Sequence, residues 1–195
     1  MDTLVLDLNK RYSYADYLTW IDDVRRELID GFIKMMAGTS QKHGDVSRNI
    51  VGNLYTYTVN NKSNCKVYYA PMDVLLPKNG ETENSKIYDV VQPDIFVVCG
   101  GWKGGENAFL GAPDMIVEIL SSSNRKKDQI EKFHLYQRAG VREYWIADPK
   151  LKAVTVYVMQ ENGEYNDGEV YQCGEKVPVH IFNGHPVEIN DIFNF

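Results

Sequence analysis

Two acids stand where acids are costly. In APDMIVEILS, residues 112–121, the side chains of Ala112, Met115, Ile116, Val117, Ile119 and Leu120 describe a strand buried on both faces, and Glu118 interrupts it. An ionised carboxylate taken from water without a partner costs several kcal/mol, so a hydrogen-bonded cation, a shifted pKa or a metal ion must offset it. Asp94 repeats the anomaly: QPDIFVV sets it directly after Pro93 at the start of an apolar strand, where backbone pairing is incomplete and a side chain can face a cleft. Two adjacent strands that each supply a carboxylate suit a hard divalent cation, because Mg²⁺ takes one or two carboxylates with waters and substrate phosphates. Such an ion polarises a phosphoryl oxygen and acidifies a bound water, which suits phosphodiester hydrolysis.

Other segments invite chemistry less strongly. His43 precedes the stripe of Val46, Ile50 and Leu54 in phase, which reads as a capped or core-facing imidazole and not as a ligand or base. The Gly-rich stretch 100–111 lacks GxGxxG or Walker spacing and reads as a connection. Arg125, Lys126 and Lys127 at a helix start are compatible with phosphate contact and equally with solvation. The tyrosines of YTYTVNN and VYY read as core and interface aromatics.

The acids need a frame. SYADYLTWIDDV, residues 13–24, has helical spacing after a serine, and RRELIDGFIKMM reads as a hairpin around an Asp30-Gly31 turn. Residues 39–61 form one long amphipathic helix, with Thr39 or Ser40 as its cap. CKVYYA and MDVLLP are strand-like, residues 78–89 an exposed loop, and PDIFVVC a near-continuous apolar strand that should neighbour the Glu118 strand. SSSNRKKDQIEKFHLYQRAG starts with cap residues and ends at Gly140, so it is a helix, and VREYWIADP is a further buried strand. Strand, helix, strand at this spacing is a right-handed crossover with parallel strands. The remainder is turn-punctuated β structure that either extends the sheet or builds a small flanking one. The expected class is mixed α/β.

With 195 residues, 44% hydrophobic and 25% charged, the chain has the size and composition of one large soluble domain. It lacks a membrane-length apolar run and a secretory signal, and Cys65, Cys99 and Cys173 are odd in number without CxxC spacing. These features predict a cytoplasmic protein with three free, buried or half-buried thiols. A net charge of −6 disfavours extended, sequence-reading DNA binding, although residues 121–143 carry a local excess of three positive charges.

Pro93-Asp94, a Gly-containing connection and an apolar strand bearing Glu118 resemble the PD-(D/E)XK signature of restriction-endonuclease-like nucleases. RELIDG, QKHGDV, QPDIFVV, APDMIVEILS and KKDQIEKFHLYQRAGVREYWIADP, in that order, more closely resemble the bacterial Uma-two endonuclease family. The resemblance spans residue 14 to about 158 and implies one restriction-endonuclease-like domain over 1–195, a central mixed sheet flanked by helices, with a β-rich extension at 159–195. It implies Asp94 and Glu118 as ligands of Mg²⁺ or Mn²⁺. The superfamily lysine two residues after the acid is replaced by Leu120, and the resemblance moves it to Lys132. Asp128, Lys132 and Tyr136 form an i, i+4, i+8 row able to border a cleft, with Ile130, Phe133 and Tyr136 as candidates for the packed side. Glu27 becomes an auxiliary acid near the site, while Gln92 and His43 support it from behind the ligands.

The plainer alternatives are a buried Glu118 ion pair with Lys132 or an arginine, Asp94 as an ordinary strand start, Lys132 as an exposed helical residue and Glu27 as a solvent-facing strand residue. The functional expectation is a metal-dependent endonuclease acting on nucleic acid, DNA before RNA, as a homodimer or larger homo-oligomer without membrane contact. The competing expectation is a catalytically silent binding or assembly module of the same fold, and a third is hydrolysis of a smaller phosphoester.

Overall fold

The computed structural model describes residues 4–36, 38–121 and 127–195, with the side chains of 127–129 outside that description. Arg125 and Lys126 fall outside it, as does the side chain of Lys127. Near the start, Ser13 and Asp16 cap each other reciprocally and begin helix α1 (Tyr14–Tyr17). The helix expected over 13–24 is therefore only one turn long. Leu18 and Ile21 beyond it are 55% and 96% exposed, so no buried stripe sustains it.

Strands β1 (Arg26–Ile29) and β2 (Phe32–Met35) form the expected hairpin. Its turn needs positive φ at both central residues, and Asp30 and Gly31 adopt 52° and 81°. Helix α2 (Gln41–Asn60) starts at Ser40, whose hydroxyl accepts from the His43 N–H, and buries Val46, Ile50 and Leu54.

The chain continues through β3 (Cys65–Tyr69), β4 (Asp73–Leu75), β5 (Val90–Val91), β6 (Ile95–Cys99), β7 (Ala108–Leu110) and β8 (Met115–Ile119). A π-helical segment, Lys127–Lys132, runs into α3 (Phe133–Ala139), which stops at Gly140 in the left-handed conformation. After it come β9 (Glu143–Asp148), β10 (Ala153–Val158), β11 (Glu169–Gln172), β12 (Lys176–Val179), β13 (His185–Glu188) and α4 (Ile189–Ile192).

The main sheet has the order β11-β10-β9-β8-β6-β3. It is mixed: β8 and β9 pair in parallel across the crossover, and β6 pairs antiparallel with β8. One face packs Ile95, Val97, Val117 and Ile119 against α2 and the C-terminal Val177, Phe182 and Ile189. The opposite face packs Phe96, Ile116 and Leu120 against Leu135 and Tyr136 of α3 and against Val74, Val91 and Phe109. Those last residues belong to a second sheet, β2-β1-β5-β4-β7, in which β7 arises from the Gly-rich connection and pairs in parallel with β4. Strands β10 and β11 extend the main sheet, whereas β12 and β13 pair separately.

Two further expectations are corrected. Cys65 and Cys99 face each other across β3 and β6 and form a disulfide, leaving Cys173 as the free cysteine. Antiparallel register brings together residues 34 apart, a relation that counting and spacing cannot reveal. Ile130 is 49% exposed instead of packed, because the π-helical turn before α3 changes the phase of the side chains.

Candidate active site

Continuing the β6–β8 register by one residue beyond Ile95 and Val117 sets Asp94 opposite Glu118. Both acids thus stand at one end of the strand pair. Asp94 precedes the strand, so its carboxylate can bend across the neighbouring backbone: Oδ2 accepts the Ile119 N–H at 2.7 Å and lies 3.1 Å from His43 Nε2. Its Oδ1 has no hydrogen bond among the described residues.

Glu118 is only 4% exposed. Its Oε1 accepts from Lys132 Nζ at 2.6 Å and from the Tyr136 hydroxyl at 2.6 Å. Lys132 and Tyr136 are four residues apart and reach one carboxylate oxygen from the same side of the crossover helix. Burial, followed by the nearby Glu118 and Glu27, pushes the Tyr136 hydroxyl well above its ordinary pKa. It therefore remains a proton donor to Glu118.

Glu27 comes from β1 and is fully buried, so the solvent-facing alternative does not hold. Its Oε1 lies 2.9 Å from Lys132 Nζ and accepts the Gln92 backbone N–H at 3.0 Å. Lys132 is likewise buried, and one ammonium joins acids from the two sheets. The plain ion-pair partner proposed for Glu118 is thus present, and it is shared with Glu27.

The Gln92 amide is occupied elsewhere. Its Oε1 accepts from Arg25 Nε at 3.0 Å, and its Nε2 donates to Asp73 Oδ1 at 2.9 Å and to the Tyr17 hydroxyl at 3.3 Å. Burial raises the Asp73 pKa, and nearby Glu27 adds to that rise. Sequence reasoning missed Asp73 and Arg25 as parts of this network. Asp73 carried the same signal as Asp94, an acid beginning the apolar run DVLL. The Asp128 side chain lies outside the described residues.

A family model described as "Putative restriction endonuclease" matches residues 14–186. The chain belongs to this Uma2 family. Uma2 membership agrees with the fold: a crystal structure of a "putative nuclease belonging to DUF820" from Anabaena variabilis superposes with a TM-score of 0.73 at 22% identity, covering 94% of this chain and 98% of that one. The match places the architecture among restriction-endonuclease-like folds. The uncharacterized protein slr1290 of Synechocystis sp. is 23% identical over 158 residues, covering 80% of this chain and 78% of that protein.

Proposed function

We propose that this Uma2 protein is a divalent-metal-dependent endonuclease that hydrolyses phosphodiester bonds of nucleic acid, with DNA as the substrate. The observation that carries the reading is the opposition of Asp94 and Glu118 at one sheet end, with buried Lys132 bonded to Glu118. The donor set fits a hard cation in kind. Asp94 and Glu118 would supply two of the ion's oxygens, with water and substrate oxygens completing its shell; among the described residues no group of three or more His, Cys, Asp or Glu is placed to hold a metal ion. When bound, Mg²⁺ or Mn²⁺ would polarise the phosphoryl oxygen and lower the pKa of a water.

The surrounding residues have separate tasks. Lys132 orients Glu118 and supplies positive charge beside the phosphoryl oxygens on which negative charge develops. Glu27 fixes that ammonium from the second sheet. Tyr136 fixes Glu118, and His43 with the Ile119 N–H fixes Asp94.

The test is nicking of supercoiled plasmid with Mg²⁺ or Mn²⁺. Asp94→Ala, Glu118→Gln and Glu118→Ala should each lose cleavage by about 100-fold or more, measured on protein shown to be folded by circular dichroism. Unchanged metal binding and cleavage in both Glu118 variants would overturn the assignment. The closure of Lys132 between Glu118 and Glu27 favours a second reading, a silent assembly module. That reading expects no cleavage of plasmid, single-stranded DNA or RNA with any divalent ion, and a defined homo-oligomer by size measurement.

A further inference from the structure

A groove of about 630 Å³ lies along α2, with Asp94, Arg25 and the β3–β4 turn, whose Ala70 N–H donates to the Asp94 carbonyl, at its other wall. Gly44, Ser47, Arg48, Val51, Gly52 and Tyr55 recur at helical spacing along it, turned away from the buried Val46, Ile50 and Leu54. From His43 to Tyr55 this helix face extends roughly 18 Å, room for a few nucleotides. Glycine is an unfavourable choice inside a helix, yet open space lies above both Gly44 and Gly52. Larger side chains there would fill the channel.

The walls carry the chemistry of a nucleic-acid strand. Tyr55 on the helix and Tyr69 at the end of β3 are 60% and 61% exposed, so neither belongs to the core. Their neighbours behave differently: Tyr57 stacks on Phe182, and Tyr68 stacks on Phe96. At the Asp94 end, Arg25 Nη2 is buried without a hydrogen-bond partner among the described residues. A buried guanidinium nitrogen lacking an acceptor is rare, and a small turn of the half-buried Arg25 side chain into the groove it lines would give it a phosphate oxygen. Arg48, whose side chain is 69% exposed, adds a second cation along the wall.

We propose that this groove holds a single-stranded segment of nucleic acid, with bases against Tyr55 and Tyr69 and phosphates at Arg25 and Arg48, leading the strand to Asp94. The inference rests on the nuclease reading for the purpose of that path. It also reconciles the net charge of −6 with a nucleic-acid ligand, because stacking on aromatic rings requires few phosphate contacts. A protein gripping duplex along a broad surface requires many.

Fluorescence anisotropy with a fluorescein-labelled single-stranded oligodeoxynucleotide, in EDTA to exclude hydrolysis, tests the groove independently of the chemistry. Single strand should bind more tightly than the matching duplex, and Tyr55→Ala and Tyr69→Ala should each weaken it roughly 5- to 150-fold without shifting the melting transition. Arg25→Gln should weaken binding too. Two phosphate contacts imply a slope of log K against log salt of about −1 to −2. Equal affinity for duplex, or tyrosine variants that bind as wild type, would overturn the groove even if plasmid is cleaved. Tyrosine-dependent strand binding without cleavage under any divalent ion would uphold the groove and overturn hydrolysis.

Discussion

Lys132 bridges the two sheets at the site, bonded to Glu118 and to Glu27 in a buried setting. Removing one member of a buried charge cluster leaves the others in low dielectric, so Lys132→Met should lower unfolding stability by about 3–5 kcal/mol. Urea denaturation measures this, and a loss below about 1 kcal/mol would mean the pair is effectively solvated. Asp73 offers a pH test. Its raised pKa means that the folded state holds the proton more tightly than the unfolded chain does. The stability of wild type relative to Asp73→Asn should therefore fall as pH rises from the ordinary carboxylate range through the raised value, then level off. A difference that grows with pH would contradict that sign. Asp94 and Glu118 stood out in the sequence because an acid within an apolar run must be offset by a partner. Which acid each helper serves was not legible, since His43 and Tyr136 could be placed near the site but equally in the core until their contacts with Asp94 and Glu118 are known.

Among the elements, legibility followed locality. The β1–β2 hairpin, α2 and the β8-to-β9 crossover were readable because turn residues, a cap and hydrophobic period all lie within a short window. The second sheet was not, because β4 with its partners β5 and β7 are two- or three-residue strands joined across long sequence intervals. The Cys65–Cys99 link belongs to the same class of non-local fact, and it removes the free-thiol argument for a reducing compartment. It closes a 34-residue separation between β3 and β6, the strand that follows Asp94. The Cys65→Ser/Cys99→Ser double variant should lose about 4 kcal/mol of unfolding stability, as should the reduced protein. Denaturation with and without reductant checks it. Equal midpoints would show that the link contributes nothing to the fold.

For the molecule as a whole, the site exists because two sheets meet around the crossover helix. The main sheet supplies Glu118, with Asp94 just before its β6 strand, the second sheet supplies Glu27, and Lys132 at the start of α3 is bonded to acids from both. No helix among the described residues is long and apolar enough to cross a membrane. If Asp94 and Glu118 share one hard cation, Mn²⁺ soaked into crystals will reveal it through anomalous scattering. Wild type should show a peak within coordinating distance of both carboxylates, and Glu118→Gln should lose it. A wild-type map with Mn²⁺ bound elsewhere, and Glu118 still closed on Lys132, would contradict it.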